Sequence, residues 1–235
     1  MNGMAERTSL IIGEDGISKL RGASVIQVGC GAVGGYSLEG LVRAGVGRIR
    51  VVDHDVFSES NLNRQILATM DSVGRTKVKV ACERVRSINP DIEIEGMDVL
   101  VNEDTVAEIL SGDYDVVVDA IDTLRCKVEL LRKVSELGIR TFSSMGAALH
   151  LDTQAVRVAP LVKTKVCPLA ASVRKALRDC DTSMITAVYS EEAPLVKPQE
   201  RDDHGKSVLG SLPTVPAVFG MTLANETIKY ILDRE

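Results

Sequence analysis

Gly29-Cys30-Gly31-Ala32-Val33-Gly34 lies between a short apolar run, "SVIQVGC" (24–30), and a segment carrying Val33, Leu38, Leu41 and Val42 at helical spacing. This G-x-G-x-x-G turn limits the fold more than any other feature. Glycines at a strand-to-helix turn let the backbone bend tightly and come close to a phosphate or ribose. The amino end of the following helix favours the anion. Asp53 closes the next apolar run, "RIRVVD" (48–53), where such a turn expects an acid for the ribose.

The alternation continues through the first half. A helix is expected over 75–89, ended by Asn89-Pro90, then a strand at 91–97 and a short helix at 102–110. A buried strand "YDVVVDAID" (114–122), a helix over 123–138 ended by Gly138 and a strand at 139–144 follow. This order predicts an α/β chain: a Rossmann-like, doubly wound, mainly parallel sheet with helices on both faces. From about residue 145 the pattern changes. It reads as a bent strand pair turning at Asp152, a basic helix at 167–179, a strand at 185–190 and a final helix from Val215. Between them, 191–216 holds Pro194, Pro198, Pro213, Pro216 and "RDDHGKS", the composition of an exposed loop. The division expected is a nucleotide-binding domain over 1–150 and a smaller α+β extension over 151–235, together one continuous domain.

At 235 residues and net charge −5, the chain is an ordinary soluble size with no generally nucleic-acid-binding charge, so any such contact needs a local basic patch. Aromatic residues are 3% with no Trp, which argues against base-stacking platforms. The five cysteines, Cys30, Cys82, Cys126, Cys167 and Cys180, form no Cys-x-x-Cys pair. A reducing compartment without structural zinc is expected. No apolar run reaches spanning length and the amino terminus has no apolar signal core, so no membrane contact and a cytoplasmic location are expected.

The stretch after the second strand, "DHDVFSESNLNRQ" (53–65), decides between nucleotide chemistries. Asp55, Asn61, Asn63 and Arg64 stand there in a polar, aperiodic order, and Lys77 follows in "VGRTKVKVA". A hydride-transfer enzyme needs a hydride acceptor held over its substrate, not a dense cationic group beside the ribose. An arginine and a lysine beyond Asp53 suit a polyphosphate whose charge builds up during transfer. Lys77 also reads as one more cation on a solvated face with Arg75 and Lys79. Asp119 and Asp122 sit at the carboxyl end of the 114–122 strand, the edge where open α/β sheets bind ligands. An acid there can hold Mg²⁺ against phosphate oxygens, or in the case of Asp122 cap the next helix.

In order and spacing, GxGxVG, D-x-D-x-x-x-x-S-N-x-N-R-Q, V-G-x-x-K-V, I-N-P and D-A-I-D are similar to the ThiF/MoeB/HesA superfamily of adenylate-forming enzymes, which includes the ubiquitin-activating enzymes. The resemblance implies ATP and Mg²⁺, and conversion of a carboxylate to an acyl adenylate. It places Asp53 on the ribose and Gly29, Gly31, Ala32 and Gly34 against the nucleotide. Asn61, Arg64 and Lys77 fall on the phosphates with Asp55 and Asn63 beside them, and Asp122 becomes the magnesium ligand. Arg7 matches an arginine that homodimers of this kind lend to the partner's ATP; with Arg64, Lys77 and Asp122 it completes the implied catalytic set.

"RTSLIIGEDGISKL", "CPLAASVRKALR", "AVYSEEAPLVKP" and "GSLPTVPAVFGMTLANETIKYIL" narrow the resemblance to the branch that cyclises threonylcarbamoyladenosine in the tRNA anticodon loop. Some members carry a cysteine where this chain has Ala187. A tRNA substrate implies a basic surface, for which Lys163, Lys165, Arg174, Lys175 and Arg178 are candidates, with Lys197, Arg201 and Lys206 in the proline-rich loop. A solvated helix face explains the first five equally well. The alternative activity is activation of a ubiquitin-like sulfur-carrier protein; such relatives usually carry Cys-x-x-Cys zinc ligands in the second half, absent here. A sulfur-relay or carrier protein remains a second candidate partner.

Overall fold

Ser24–Val28 (β1) is buried along its whole length. A strand with no solvated face needs a cover on each side and a neighbour on each edge. The computed structural model, which describes residues 3–196, 200–201 and 207–234, supplies all four. Arg48–Asp53 (β2) pairs in parallel on one edge, from Ser24 against Arg48 to Val28 against Val52. Val116–Asp119 (β4) pairs in parallel on the other, from Val25 against Val116. Outside β2 lies Glu93–Asp98 (β3), largely exposed, and outside β4 lies Thr141–Ser144 (β5), buried. Ile185–Ser190 (β7) then joins β5 in parallel and Val156–Pro160 (β6) closes the edge antiparallel to β7. The sheet order is β3-β2-β1-β4-β5-β7-β6.

Alternate side chains of the central strands feed two cores. Val25, Ile49, Val51, Val116 and Val118 face a layer made by Gly34–Ala44 (α2), Lys77–Ile88 (α3) and Thr214–Asp233 (α7). Ile26, Val28, Val52 and Val117 face Val106–Ile109 (α4), Leu124–Leu137 (α5) and Pro168–Ala176 (α6). The expected doubly wound α/β architecture is therefore present, with β3-β2-β1 running one way from the start point and β4-β5 the other. The last helix packs intimately on α2: a Cβ at Gly220 would stand 2.4 Å from the Val33 carbonyl oxygen and 2.6 Å from Tyr36 Cβ. The carboxyl-terminal helix thus braces the helix that starts at the glycine turn.

Glu6–Gly22 (α1) is helical, interrupted at Gly13 (φ 70°, ψ 178°). One region departs from the sequence expectation. Residues 145–160 are not a strand pair. Leu149 takes φ 66°, Asp152 accepts the Gln154 N–H to cap a 3-10 turn at Thr153–Ala155, and only β6 is extended, paired with β7. In the proline-rich loop, Glu200–Arg201 (β8) and Ser207–Val208 (β9) form a small antiparallel pair. Lys197 and Lys206 lie outside the described residues, as does the side chain of Arg201.

Candidate active site

β1 ends where the strand order reverses, and the glycine turn follows at once. Gly29 takes φ 92° and donates its N–H to the Val52 carbonyl. A Cβ there would meet the Ala120 carbonyl oxygen at 2.8 Å, so the turn lies directly against the end of β4. At Gly34 a Cβ would stand 1.9 Å from the Gly29 oxygen. Gly31 is different: its nearest neighbour would be Gln65 Nε2 at 4.0 Å. The outer glycines close the turn on itself, and the middle one leaves open space above it. Below the turn, Gln27 Nε2 donates to the Gly29 carbonyl (3.0 Å) while its Oε1 accepts from Ser37 Oγ (2.6 Å). That buried amide locks strand, turn and helix together.

Around the open space stand several of the residues expected from sequence. Asp53 Oδ2 accepts the Cys30 N–H (2.6 Å) and Oδ1 accepts the Asp55 N–H (2.9 Å). Asp55 Oδ2 in turn takes a hydrogen bond from Lys77 Nζ (2.7 Å), and the Asp55 carbonyl accepts the Lys77 N–H. Lys77 is buried, its ammonium 6.0 Å from the Phe57 ring centre, so it is not one of a row of solvated cations. Asp55 is half exposed and occupies one of the ammonium's three donors. Gln65 is buried beside Gly31, and its Oε1 has no hydrogen-bond partner among the described residues. A buried orphan acceptor is costly unless something donates to it.

Asn61, Asn63 and Arg64 order the loop that carries Gln65. Asn61 Oδ1 accepts the Ser58 N–H, Arg64 Nη1 donates to the Ser60 carbonyl (2.8 Å) and to Asn63 Oδ1 (2.9 Å), and Asn63 Nδ2 donates to the Ser211 carbonyl (3.0 Å). The last bond ties the loop to the segment leading into α7. Arg64 holds its own loop through these two bonds.

At the end of β4 the two acids separate. Asp119 is fully buried and pairs with Lys127, while Asp122 is exposed at the sheet's carboxyl edge, accepting from Thr123 Oγ1 (3.1 Å). The N-cap position of α5 is Thr123, directly after Asp122. Arg7 is exposed in the first turn of α1; among the described residues no hydrogen bond or ion pair joins it to the site. Lys163, Lys165, Lys175 and Arg178 are exposed around α6, whereas Arg174 Nη1 donates to Thr164 Oγ1 and so fixes the turn before the helix. Ala187 is buried within β7. Of the five thiols, Cys30, Cys82 and Cys180 are pushed up from the ordinary cysteine range, in each case chiefly by burial, which suppresses the nucleophilic thiolate.

The family model for the ThiF family matches residues 5–235. The chain belongs to the ThiF family. Within that family it is 32% identical to the tRNA threonylcarbamoyladenosine dehydratase of Bacillus subtilis, a match covering 96% of this chain and 93% of that one. Its structure superimposes on that of the Escherichia coli tRNA N6-threonylcarbamoyladenosine dehydratase in complex with ATP with a TM-score of 0.88, at 31% identity, over 99% of this chain and 96% of that one. A sulfur carrier protein adenylyltransferase from Thermus thermophilus is more identical, 43%, but over only 47% of this chain and 41% of that protein. Gln27 escapes a reading of motifs; its signal is a lone polar residue inside an otherwise apolar central strand. Gln65 closes the S-N-x-N-R-Q motif, but the motif assigns it no role.

Proposed function

We propose that the chain is an ATP-dependent dehydratase that cyclises threonylcarbamoyladenosine in the anticodon loop of tRNA. The observation that carries this reading is the extent of the likeness. Similarity to the dehydratases runs through both halves, whereas similarity to sulfur-carrier adenylyltransferases stops at about half of the chain. In the reaction, a carboxylate oxygen of the threonylcarbamoyl group attacks the α-phosphorus of ATP and pyrophosphate leaves. A nitrogen of the same side chain then attacks the acyl carbon and loses its proton, and AMP departs with the carboxylate oxygen. The sum is loss of one water from the nucleoside and cleavage of ATP to AMP and pyrophosphate.

The residues fit these tasks. The space above Gly31 and the orphan Gln65 oxygen suit a nucleotide, with Ala32 and Asp53 at its ribose end. Lys77, with donors beyond the one on Asp55, would offset charge gathering on the phosphates, helped by Arg64, Asn61 and Asn63. Mg²⁺ would neutralise phosphate oxygens. Asp122, exposed at the carboxyl edge of the sheet two residues after Ala120, would be the oxygen donor for the ion. Residues 1–150 would handle ATP and 151–235 the tRNA, on Lys163, Lys165, Arg174, Lys175 and Arg178. A cytoplasmic homodimer, with Arg7 reaching the partner's ATP, is part of the same reading; Leu10 and Ile11 beside Arg7 are 83% and 87% exposed. The test is mass spectrometry of nucleosides from threonylcarbamoylated tRNA after incubation with protein, ATP and Mg²⁺. Loss of one water is expected. An unchanged nucleoside, with pyrophosphate exchange driven instead by a carrier-protein tail, would transfer the assignment to carrier activation.

A further inference from the structure

Directly behind the exposed Asp122, a charged cluster is sealed inside the protein. Asp119 and Lys127 are each 0% exposed and paired, and Asp119 Oδ2 also accepts from Ser143 Oγ (2.6 Å), which lies 3.3 Å from Lys127 Nζ. The three side chains come from β4, α5 and β5, so the cluster spans the seam under the site. A desolvated pair of this kind is a poor way to stabilise a core, since apolar side chains of similar volume do as well or better. Its geometry has another consequence. The second carboxylate oxygen, Oδ1, accepts the Ile121 N–H at 3.0 Å, while the Ala120 N–H donates to the Val28 carbonyl at 2.8 Å. These two bonds set the direction in which the chain leaves β4. Ala120 lies against Gly29, and Asp122 comes two residues later.

We propose that Asp119, clamped by Lys127 and Ser143, is a positioning residue for adenylate formation: by holding the Ile121 amide it aims the 120–122 turn so that Asp122 faces the nucleotide phosphates. The inference rests on the function proposed above. Lys127 and Ser143 act through Asp119, since they fix the carboxylate plane and leave Oδ1 pointing at the amide. The ribose end of the nucleotide is held from β2 and the glycine turn, so disturbing the 120–122 turn lowers turnover more than it lowers nucleotide affinity.

Two double variants separate positioning from packing. Asp119→Leu with Lys127→Met removes both charges and the acceptor for Ile121 while keeping the number and branching of heavy atoms at position 119. Asp119→Asn with Lys127→Met removes the same charges but retains an Oδ1 acceptor. Two readouts are taken: hydrogen exchange of the Ile121 amide by NMR, which needs no substrate, and kcat and KM for ATP from AMP release with threonylcarbamoylated tRNA. In the Leu/Met protein, Ile121 exchange is expected to quicken at least tenfold and kcat to fall at least tenfold, with KM for ATP within threefold of the parent. The Asn/Met protein is expected to recover both to within threefold. Parental kcat in the Leu/Met protein overturns the proposal, as does an equal loss in both doubles, which would place the effect in the charges and not in the amide contact. Should either double fail to fold, Ser143→Ala is decisive: it loosens the clamp by one hydroxyl, and unchanged kcat in that folded protein refutes the proposal. A parent protein inactive on the tRNA would fail the proposed function itself, a result distinct from all of these.

Discussion

The three glycines of the turn make opposite demands, and substituting them one at a time tests how the nucleotide site is built. A methyl group at Gly34 would stand 1.9 Å from the Gly29 carbonyl oxygen, which is about 1.5 Å inside an ordinary contact, and the atom in the way is backbone. Overpacking against atoms that cannot rotate aside falls at the upper end of the usual range, about 3 kcal/mol. For a chain of this length that lowers Tm by about 6–12 °C. A methyl at Gly31 meets nothing nearer than Gln65 Nε2 at 4.0 Å, and Gly31 does not sit at positive φ. Gly31→Ala should therefore change stability by no more than about 0.5 kcal/mol, or about 1–2 °C in Tm. The same methyl protrudes into the space assigned to ATP, so Kd for ATP should rise at least tenfold, about 1.4 kcal/mol. Differential scanning fluorimetry gives the first pair of numbers and isothermal titration calorimetry with ATP the second. Parental ATP affinity in Gly31→Ala would refute the placement of the nucleotide over Gly31. Parental Tm in Gly34→Ala would refute the geometry of the turn.

Other consequences concern charge. Lys77→Met should fold, because its partner Asp55 is half exposed and can be solvated, yet lower the rate of AMP formation by about a hundredfold or more, measured under single turnover. Glu39 is buried and, among the described residues, pairs with Arg43 and Arg84, so Arg43→Ala with Arg84→Ala strands its carboxylate; urea unfolding should report a loss of about 3–5 kcal/mol, and Glu39→Gln in that background should recover part of it. His150 is buried and its imidazole is held below the ordinary histidine range, by desolvation first, with Glu192 at 3.7 Å acting in the opposite sense. A depressed folded-state pKa stabilises at pH above the unfolded value of ~6.5 and loses that contribution as pH falls toward the folded value. Between pH 7.5 and 5.5 the parent protein should thus lose more Tm than His150→Gln does. Charge reversal at Lys163, Lys165 and Lys175 should weaken tRNA binding and flatten its log–log salt dependence by about 2–3, as roughly 0.7–0.9 per lost phosphate contact requires.

Much of this site is legible in the sequence because its parts are local. The turn from Gly29 to Gly34 and the acid at Asp53 follow from the conformational demands of one strand-turn-helix unit. What is not legible depends on contacts distant in sequence. Asp119 and Asp122 look alike as letters, and only the neighbouring strand and helix make one a buried anchor and leave the other exposed. Lys127 does fall on the inward stripe of α5 with Leu130, Leu131 and Val134, a sign that a lysine goes where leucines go, but its partner cannot be named without the fold. The same holds for Arg64, whose guanidinium ties Ser60 and Asn63. The strand pair expected near Asp152 fails because side-chain alternation says nothing about a backbone that takes positive φ at Leu149.

The central claim is that the substrate carboxylate attacks the α-phosphorus of ATP. It is tested most directly by giving the protein tRNA whose threonylcarbamoyl carboxylate carries ¹⁸O and following the label. If an acyl adenylate forms and its ring closure expels AMP, each AMP released carries one ¹⁸O from the nucleoside, in step with the cyclised product. Unlabelled AMP, or ¹⁸O found in inorganic phosphate alongside ADP, would contradict the account.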